Sequence, residues 1–468
     1  MSIKNIFIVF LALILGCAVS PVTGKREIML ISEEQEIAIG RDIFPNAIWG
    51  AEGGGGEYKD DALRSYLKDI VIKIHGVSHR ANLPIEFRVQ NTSVPNAWAV
   101  PGYVVITRGL LAGLKSEAEF AFVIGHEIGH ISARHTAKRL TYGLLREIGL
   151  GVVSQRHDDI ILMAGEVGSA LALLRYSRQQ ELEADRLAVE YMARLGYDPK
   201  NAVLAHKRLQ EIYSLYLSSI GKEERKRALF EDMLSTHPRT SVRIDEIEEM
   251  IKTLPRGQWI DDGRERFLSM TEGLRKANSI YIDYYDKAVR EFENSDFEKA
   301  ALLLSVITEA SIRPQALTLR GFIALKTDKI PEAERYFKEA ISLDKDYQPA
   351  LRGLGIYNYT EGRYDEAILA LRDAVLIYPE DIYSRYFLGM SLYRRDRCDE
   401  ALRHLNYFAE AMPRHPEIHG IVGICYEKTN DPVSAYGEYL LQVKIAPNTE
   451  MGVYAAKRLQ IIKKGVPR

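Results

Sequence analysis

Gly321, Gly355, Gly389 and Gly423 stand at intervals of 34 residues, and Ala333, Ala367, Ala401 and Ala435 keep the same interval. Pro379, Pro413 and Pro447 repeat it again. A large apolar residue follows each alanine by four positions: Phe337, Leu371, Leu405 and Tyr439. No other feature narrows the fold of this chain so far. A fixed period of this length means one supersecondary unit copied and stacked, each copy covering an apolar face that its neighbour cannot bury alone. Two antiparallel helices per copy fit the period, with small residues where the helices cross closely. Four copies are expected from about 314 to 449. A degenerate one is expected near 280–313, where Ala300, Leu304 and Ile307 echo the pattern one residue out of step. Residues 451–464, MGVYAAKRLQIIKK, read as a polar-faced capping helix.

The pattern is the tetratricopeptide signature, so residues 266–468 are expected to form an all-α solenoid. The first half follows a different grammar, and an α+β domain is expected over 17–265. Residues 33–45 and 57–75 have the periodicity of amphipathic helices, whereas IEFRVQ (85–90) and AWAVPGYVVITRG (97–109) read as strands. Long helical segments follow from about 116. The apolar segment ILMAGEVGSALALL (161–174) is expected as a buried helix near the functional site, since Glu166 and its length argue against a membrane span. A change of composition at WIDDGRERF (259–267), after Pro255 and Gly257, marks the expected boundary.

A formal net charge of −2 with 27% charged residues gives no sign of a nucleic-acid partner. The run Gly53 to Gly56 lacks the Lys-Ser/Thr of a phosphate loop and reads as a surface loop. At the N-terminus, Lys4 precedes an apolar run from Ile6 to Leu15 that is too short to span a bilayer stably but suits a signal-peptide core. Ile14-Leu15-Gly16-Cys17 resembles the bacterial lipobox, so residues 1–16 are expected as a lipoprotein-type signal with Cys17 lipidated. Ordinary cleavage near Ala18 to Ser20 is the other reading. Ala18 after the cysteine resembles lipoproteins sorted to the outer membrane, which places the chain in the periplasm. Cys398 and Cys425 belong to no metal-binding pattern; repeat register could bring them together, and either a disulfide or two buried thiols fits.

Within FVIGHEIGHISARHT (122–136) an apolar helix is interrupted by His126, Glu127 and His130. Residues four apart share a helix face, so both imidazoles can close on one metal ion. This is the His-Glu-x-x-His zinc pattern, in which the glutamate serves as general base. A third protein ligand is then required. YSRQQELEADRLAVEY (176–191) offers Glu181, Glu183 and Asp185, of which Glu181 and Asp185 share a face. One could bind metal while another orients a ligand imidazole, although periodicity alone favours an ordinary solvated charged face.

HEIGH, ELEAD and STHPRTSVRI (235–244), with PNAWAVPGY (95–103), together resemble the gluzincin peptidase family that contains HtpX and the CAAX-prenyl peptidases. The resemblance covers residues 33 to 250. It implies Glu181 as the third zinc ligand and Asp185 as the partner of His126. It also implies His237 and Arg243 as donors to the oxyanion, with His237 alternatively a latch on the metal. Tyr103 stands where the family has a second glycine. With the repeats and export signal, the architecture is similar to the periplasmic branch of that family. The implied function is a one-zinc endopeptidase degrading misfolded or misassembled envelope proteins, its repeats binding substrates or an outer-membrane assembly complex. The alternative is a chaperone or scaffold for outer-membrane protein assembly with a gated, rarely active metal site.

Overall fold

The computed structural model describes residues 17–50, 55–150, 176–220, 241–254, 258–308, 310 and 312–465. The expected signal (1–16), the apolar segment 161–174 and His237 lie outside these residues. The chain divides into two compact units between Asp283 and Tyr284.

The first unit opens with β1 (Cys17–Val19), paired antiparallel with β2 (Arg26–Ile28). Helix α1 (Glu33–Gly50) runs past its expected end at 45, with Pro45 inside it, and α2 (Asp61–Gly76) starts later than 57. The start of α2 has a local cause: the Asp60 carboxylate accepts the Leu63 N–H at 3.0 Å, satisfying a donor that the first turn leaves unpaired. Three strands follow, β3 (Glu86–Gln90), β4 (Ala97–Val100) and β5 (Tyr103–Thr107). The stretch expected as one strand over 97–109 is therefore a hairpin. Its turn falls at Pro101-Gly102, where glycine takes φ +94 without a side-chain penalty. The sheet order is β3-β5-β4, with β3 parallel and β4 antiparallel to β5, so β4 is an edge strand. Thr107 then caps α3 (Arg108–Gly113).

Helix α4 (Glu117–Ser132) carries the His-Glu-x-x-His pattern and is buried along its whole length, its first turn capped by Ser116. Next come α5 (His135–Leu150), α6 (Arg178–Arg194), α7 (Lys200–Ile220) and α8 (Ser241–Thr253). Ser177 and Gln180 close a reciprocal capping box that sets the start of α6. Helices α4 and α6 cross closely because small residues face each other. A Cβ on Gly129 would lie 3.1 Å from the Ala184 carbonyl oxygen, and one on Gly125 would lie 3.2 Å from Ala188 Cα.

Helices α9 (Arg264–Met270) and α10 (Glu272–Ile280) belong to the first unit, so the boundary expected after 265 is too early. Phe267 is buried against Phe120, and Arg266 grips Glu117 at 2.5 and 2.6 Å. Arg275 donates to the Ala112 carbonyl at 2.5 Å, and Arg108 lies over the Tyr281 ring at 3.7 Å.

The second unit is a run of helix pairs: α11 (Asp286–Glu293) with α12 (Phe297–Ser305), α13 (Arg313–Lys326) with α14 (Ile330–Leu343), α15 (Gln348–Thr360) with α16 (Tyr364–Ile377). α17 (Ile382–Arg394) pairs with α18 (Cys398–Ala411), and α19 (Ile418–Lys428) with α20 (Pro432–Ile445), before the terminal α21 (Glu450–Gly465). Each periodic glycine rests on the large residue of its own repeat: Gly321 on Phe337, Gly355 on Leu371, Gly389 on Leu405, Gly423 on Tyr439. Added Cβ atoms would lie 2.4 to 2.7 Å from those side chains, which is why the position stays glycine. Cys398 and Cys425 are buried free thiols in mutual hydrogen-bond contact, so of the two readings the structure shows the thiol pair. Among the described residues no helix is long and apolar enough to cross a membrane.

Candidate metal centre

His126 and His130 lie one turn apart on α4, and the close crossing with α6 brings Glu181 from its first turn onto both. The two Nε2 atoms are 3.0 Å apart, and the Glu181 oxygens lie 3.4 Å from each of them. Ligand atoms about 2.0–2.2 Å from a tetrahedral zinc are separated by roughly 3.3 Å, so this spacing fits that ion. The donor set of two imidazoles and a carboxylate fits it as well, and all three side chains are buried.

Both Nδ1 atoms are engaged on the far side. His126 Nδ1 meets Asp185 Oδ1 at 2.9 Å, and His130 Nδ1 meets His135 Nδ1 at 2.7 Å. These contacts turn the two Nε2 atoms toward Glu181. The Tyr176 ring stacks on His130 with centroids 3.8 Å apart and planes 15° apart. His206, from α7, approaches Asp185 at 3.6 Å.

Arg243, on α8, donates to Asp185 through Nε and Nη2 at 2.6 and 2.7 Å, and meets Glu181 through Nη1 at 2.8 Å. The family resemblance gives it an oxyanion role. The structure shows it bracing the two carboxylates of α6 while also lining the cleft. That cleft has a volume of about 50 Å³ and includes Asn96, Ala97, Phe122, His126 and Glu127 in its walls. Glu127 is thus buried but faces the space beside the ligands.

The charges are strongly coupled. Burial disfavours a charged His126, but Asp185 and Glu181 outweigh it and push this imidazole up to about 9. Burial, with His126 nearby, holds His130 well below the ordinary range. Asp185 is held well below the usual carboxylate range because Arg243 and His126 overcome its burial.

The structure thus brings together His126, Glu127, His130, Glu181, Asp185 and Arg243. Cys17 lies in β1, apart from this centre in the sequence and with no part in it, and His237 lies outside the described residues. Sequence reasoning missed His135. Helical periodicity cannot connect it to His130, because Arg134, at φ +57, breaks the helix between them.

Residues 60–251 match the family described as Peptidase family M48, and residues 318–382 and 386–449 match the Tetratricopeptide repeat. Mitochondrial metalloendopeptidase OMA1 of Arabidopsis thaliana is 33% identical over 212 residues, covering 44% of this chain and 39% of that protein. The OMA1 protein of Schizosaccharomyces pombe is 28% identical over 242 residues, covering 49% and 65%. The β-barrel assembly-enhancing protease (BepA) of Escherichia coli K12 is 23% identical over 231 residues, covering 47% and 45%. The chain therefore spans less than two thirds of the length of each of these relatives. Among solved structures, the tetratricopeptide protein YrrB aligns with 41% of this chain and 97% of its own, at 18% identity and a TM-score of 0.32.

Proposed function

We propose that this chain, a BepA-like protein in which an M48-type metallopeptidase domain precedes tetratricopeptide repeats, is a zinc-dependent endopeptidase of the bacterial cell envelope that acts on misfolded or misassembled proteins. The observation that carries the reading is the convergence of His126, His130 and Glu181 as one group of metal-ligand side chains, with His126 and Glu127 side by side in the wall of a small cleft. His126, His130 and Glu181 would hold a zinc ion, which when bound would supply Lewis acidity toward a peptide carbonyl and water. Glu127 accepts the proton released as water attacks the carbonyl, and returns it to the leaving amine. Asp185 orients His126, and Arg243 holds Asp185 well below the usual carboxylate range while also pairing with Glu181. By the family resemblance, His237 and Arg243 would donate to the developing oxyanion, or His237 would latch the metal at rest.

The cleft also argues for the class of substrate. Asn96 and Ala97, at the start of edge strand β4, form part of its wall. An extended segment could pair its backbone with that edge, a mode that reads side chains weakly and suits unfolded chains. The repeats offer stacked helical surfaces for substrates or for an outer-membrane assembly complex. Cys17 would carry the lipid that holds the protein at the outer membrane, facing the periplasm.

A pair of variants tests the site. Glu181→Ala should lose bound zinc, whereas Glu127→Gln should keep about one zinc per chain and lose cleavage of casein by a factor of 100 or more. Zinc retained by Glu181→Ala defeats the ligand assignment. Cleavage retained by Glu127→Gln defeats the general-base role.

A further inference from the structure

We propose that His135 and Glu183 are positioning residues for His130, forming a second imidazole–carboxylate brace alongside that of His126 and Asp185. The inference rests on the zinc reading above and assigns two side chains that the reading leaves without a role.

The brace follows from counting protons. His130 Nδ1 and His135 Nδ1 are 2.7 Å apart, so one must carry hydrogen and the other a lone pair. If His130 uses Nε2 as a ligand atom, its Nδ1 carries the hydrogen and donates it. His135 Nδ1 is then the acceptor, which leaves the ring hydrogen of neutral His135 on Nε2. That atom faces Glu183 Oε2 at 3.2 Å, and a carboxylate is the partner it needs. Every hydrogen in the chain from Glu183 to His130 is placed by this logic. The α6 helix thus contributes Glu181 as ligand, Glu183 to the His130 side and Asp185 to the His126 side.

The local backbone is shaped to present His135. Helix α4 ends at Ser132, and Arg134 adopts φ +57, a left-handed conformation that is unfavourable for a non-glycine residue. Its guanidinium is anchored by Glu36 at 3.1 Å and the Ile31 carbonyl at 2.8 Å. The kink returns the first residue of α5 to the His130 ring, where it is fully buried. Tyr176 closes the ring's face, and its hydroxyl lies 3.3 Å from Thr136 Oγ1, next to His135. A residue needed only for packing would not require an imidazole with both nitrogens engaged.

The test compares full-length protein with His135→Phe and Glu183→Gln. Zinc affinity is measured by competition with a chromophoric chelator, and cobalt(II) is loaded to record the visible bands of the site. Losing the outer partner of a ligand histidine typically weakens metal binding 10- to 100-fold, and His135→Phe should fall in that range. Glu183→Gln keeps an oxygen acceptor without the charge, so a smaller loss of about three- to tenfold is expected. Both should alter the cobalt spectrum, which a general loss of stability does not do. Parental zinc affinity and cobalt bands in His135→Phe overturn the brace. Should that variant fail to fold, the same null result in Glu183→Gln, at a partly exposed side chain, overturns it. A parent protein that holds no zinc, or holds it without Glu181, overturns the site itself and the brace with it.

Discussion

The Nε2 atoms of His126 and His130 stand 3.0 Å apart with Glu181 across from both, and two lone pairs cannot face each other at that distance. Asp185 and Glu181 outweigh burial and raise His126 above the ordinary imidazole range, so this ring favours a proton in the place a metal ion would take. Zinc and that proton compete for one place. Binding at pH 7 should therefore expel about one proton from His126. Apparent zinc affinity should fall about tenfold for each pH unit below about 9, and level off above it, because only the neutral ring offers a lone pair. Titration calorimetry at pH 7 in buffers of different ionisation enthalpy reads this directly. A binding heat independent of the buffer would remove the proton from the account. At this scale His126, Glu127 and His130 were legible, because a spacing of four on a helix needs no tertiary information. Glu181 and Glu183 were not separable by periodicity. The fold places them differently, burying Glu181 completely beside His126 and His130 and sending Glu183 to His135.

Helix pairs bring the third ligand in. The α4–α6 contact is a small-residue seam, Gly125 and Gly129 against Ala184 and Ala188, and it sets how far Glu181 stands from the two histidines. Gly129→Val should force α6 outward, with a strain on the order of 1–3 kcal/mol for an overpacked contact. If that strain falls on the site, zinc binds about 5- to 100-fold more weakly while helix content by circular dichroism stays near the parent. Unchanged zinc affinity in a folded Gly129→Val protein would mean that the crossing distance does not position Glu181. Both Gly-x-x-x-Gly and Ala-x-x-x-Ala are visible in the sequence, yet nothing there says that they face one another. The β4–β5 hairpin was hidden for a related reason. AWAVPGYVVI has strand-forming residues throughout, and only the positive φ of Gly102 divides it.

At the scale of the molecule, the repeats were the most legible part because each copy solves the same local packing problem. Even the turns keep the period, with Asp328, Gly362, Asp396 and Asn430 all at positive φ, and Ser295 one residue out of step in the degenerate copy. The boundary was misplaced because α9 and α10 look polar in isolation. What ties them to the first unit is a few buried contacts, Phe267 on Phe120 and Arg266 on Glu117, that composition does not record. The proposed attachment to a membrane belongs to this scale too, and it would turn on Cys17. The β1–β2 ladder pairs Cys17 with Ile28, so a lipid on Cys17 would join directly to the folded first unit. Two or three acyl chains hold a protein stably where one is marginal. Cys17→Ser should therefore move the protein from the membrane to the soluble fraction of an envelope preparation, or leave it as an unprocessed precursor. The parent should gain the mass of acyl chains and the variant should not. A variant with the parent's mature mass and its membrane distribution would show that ordinary cleavage releases the chain, and that something other than lipid on Cys17 holds it there.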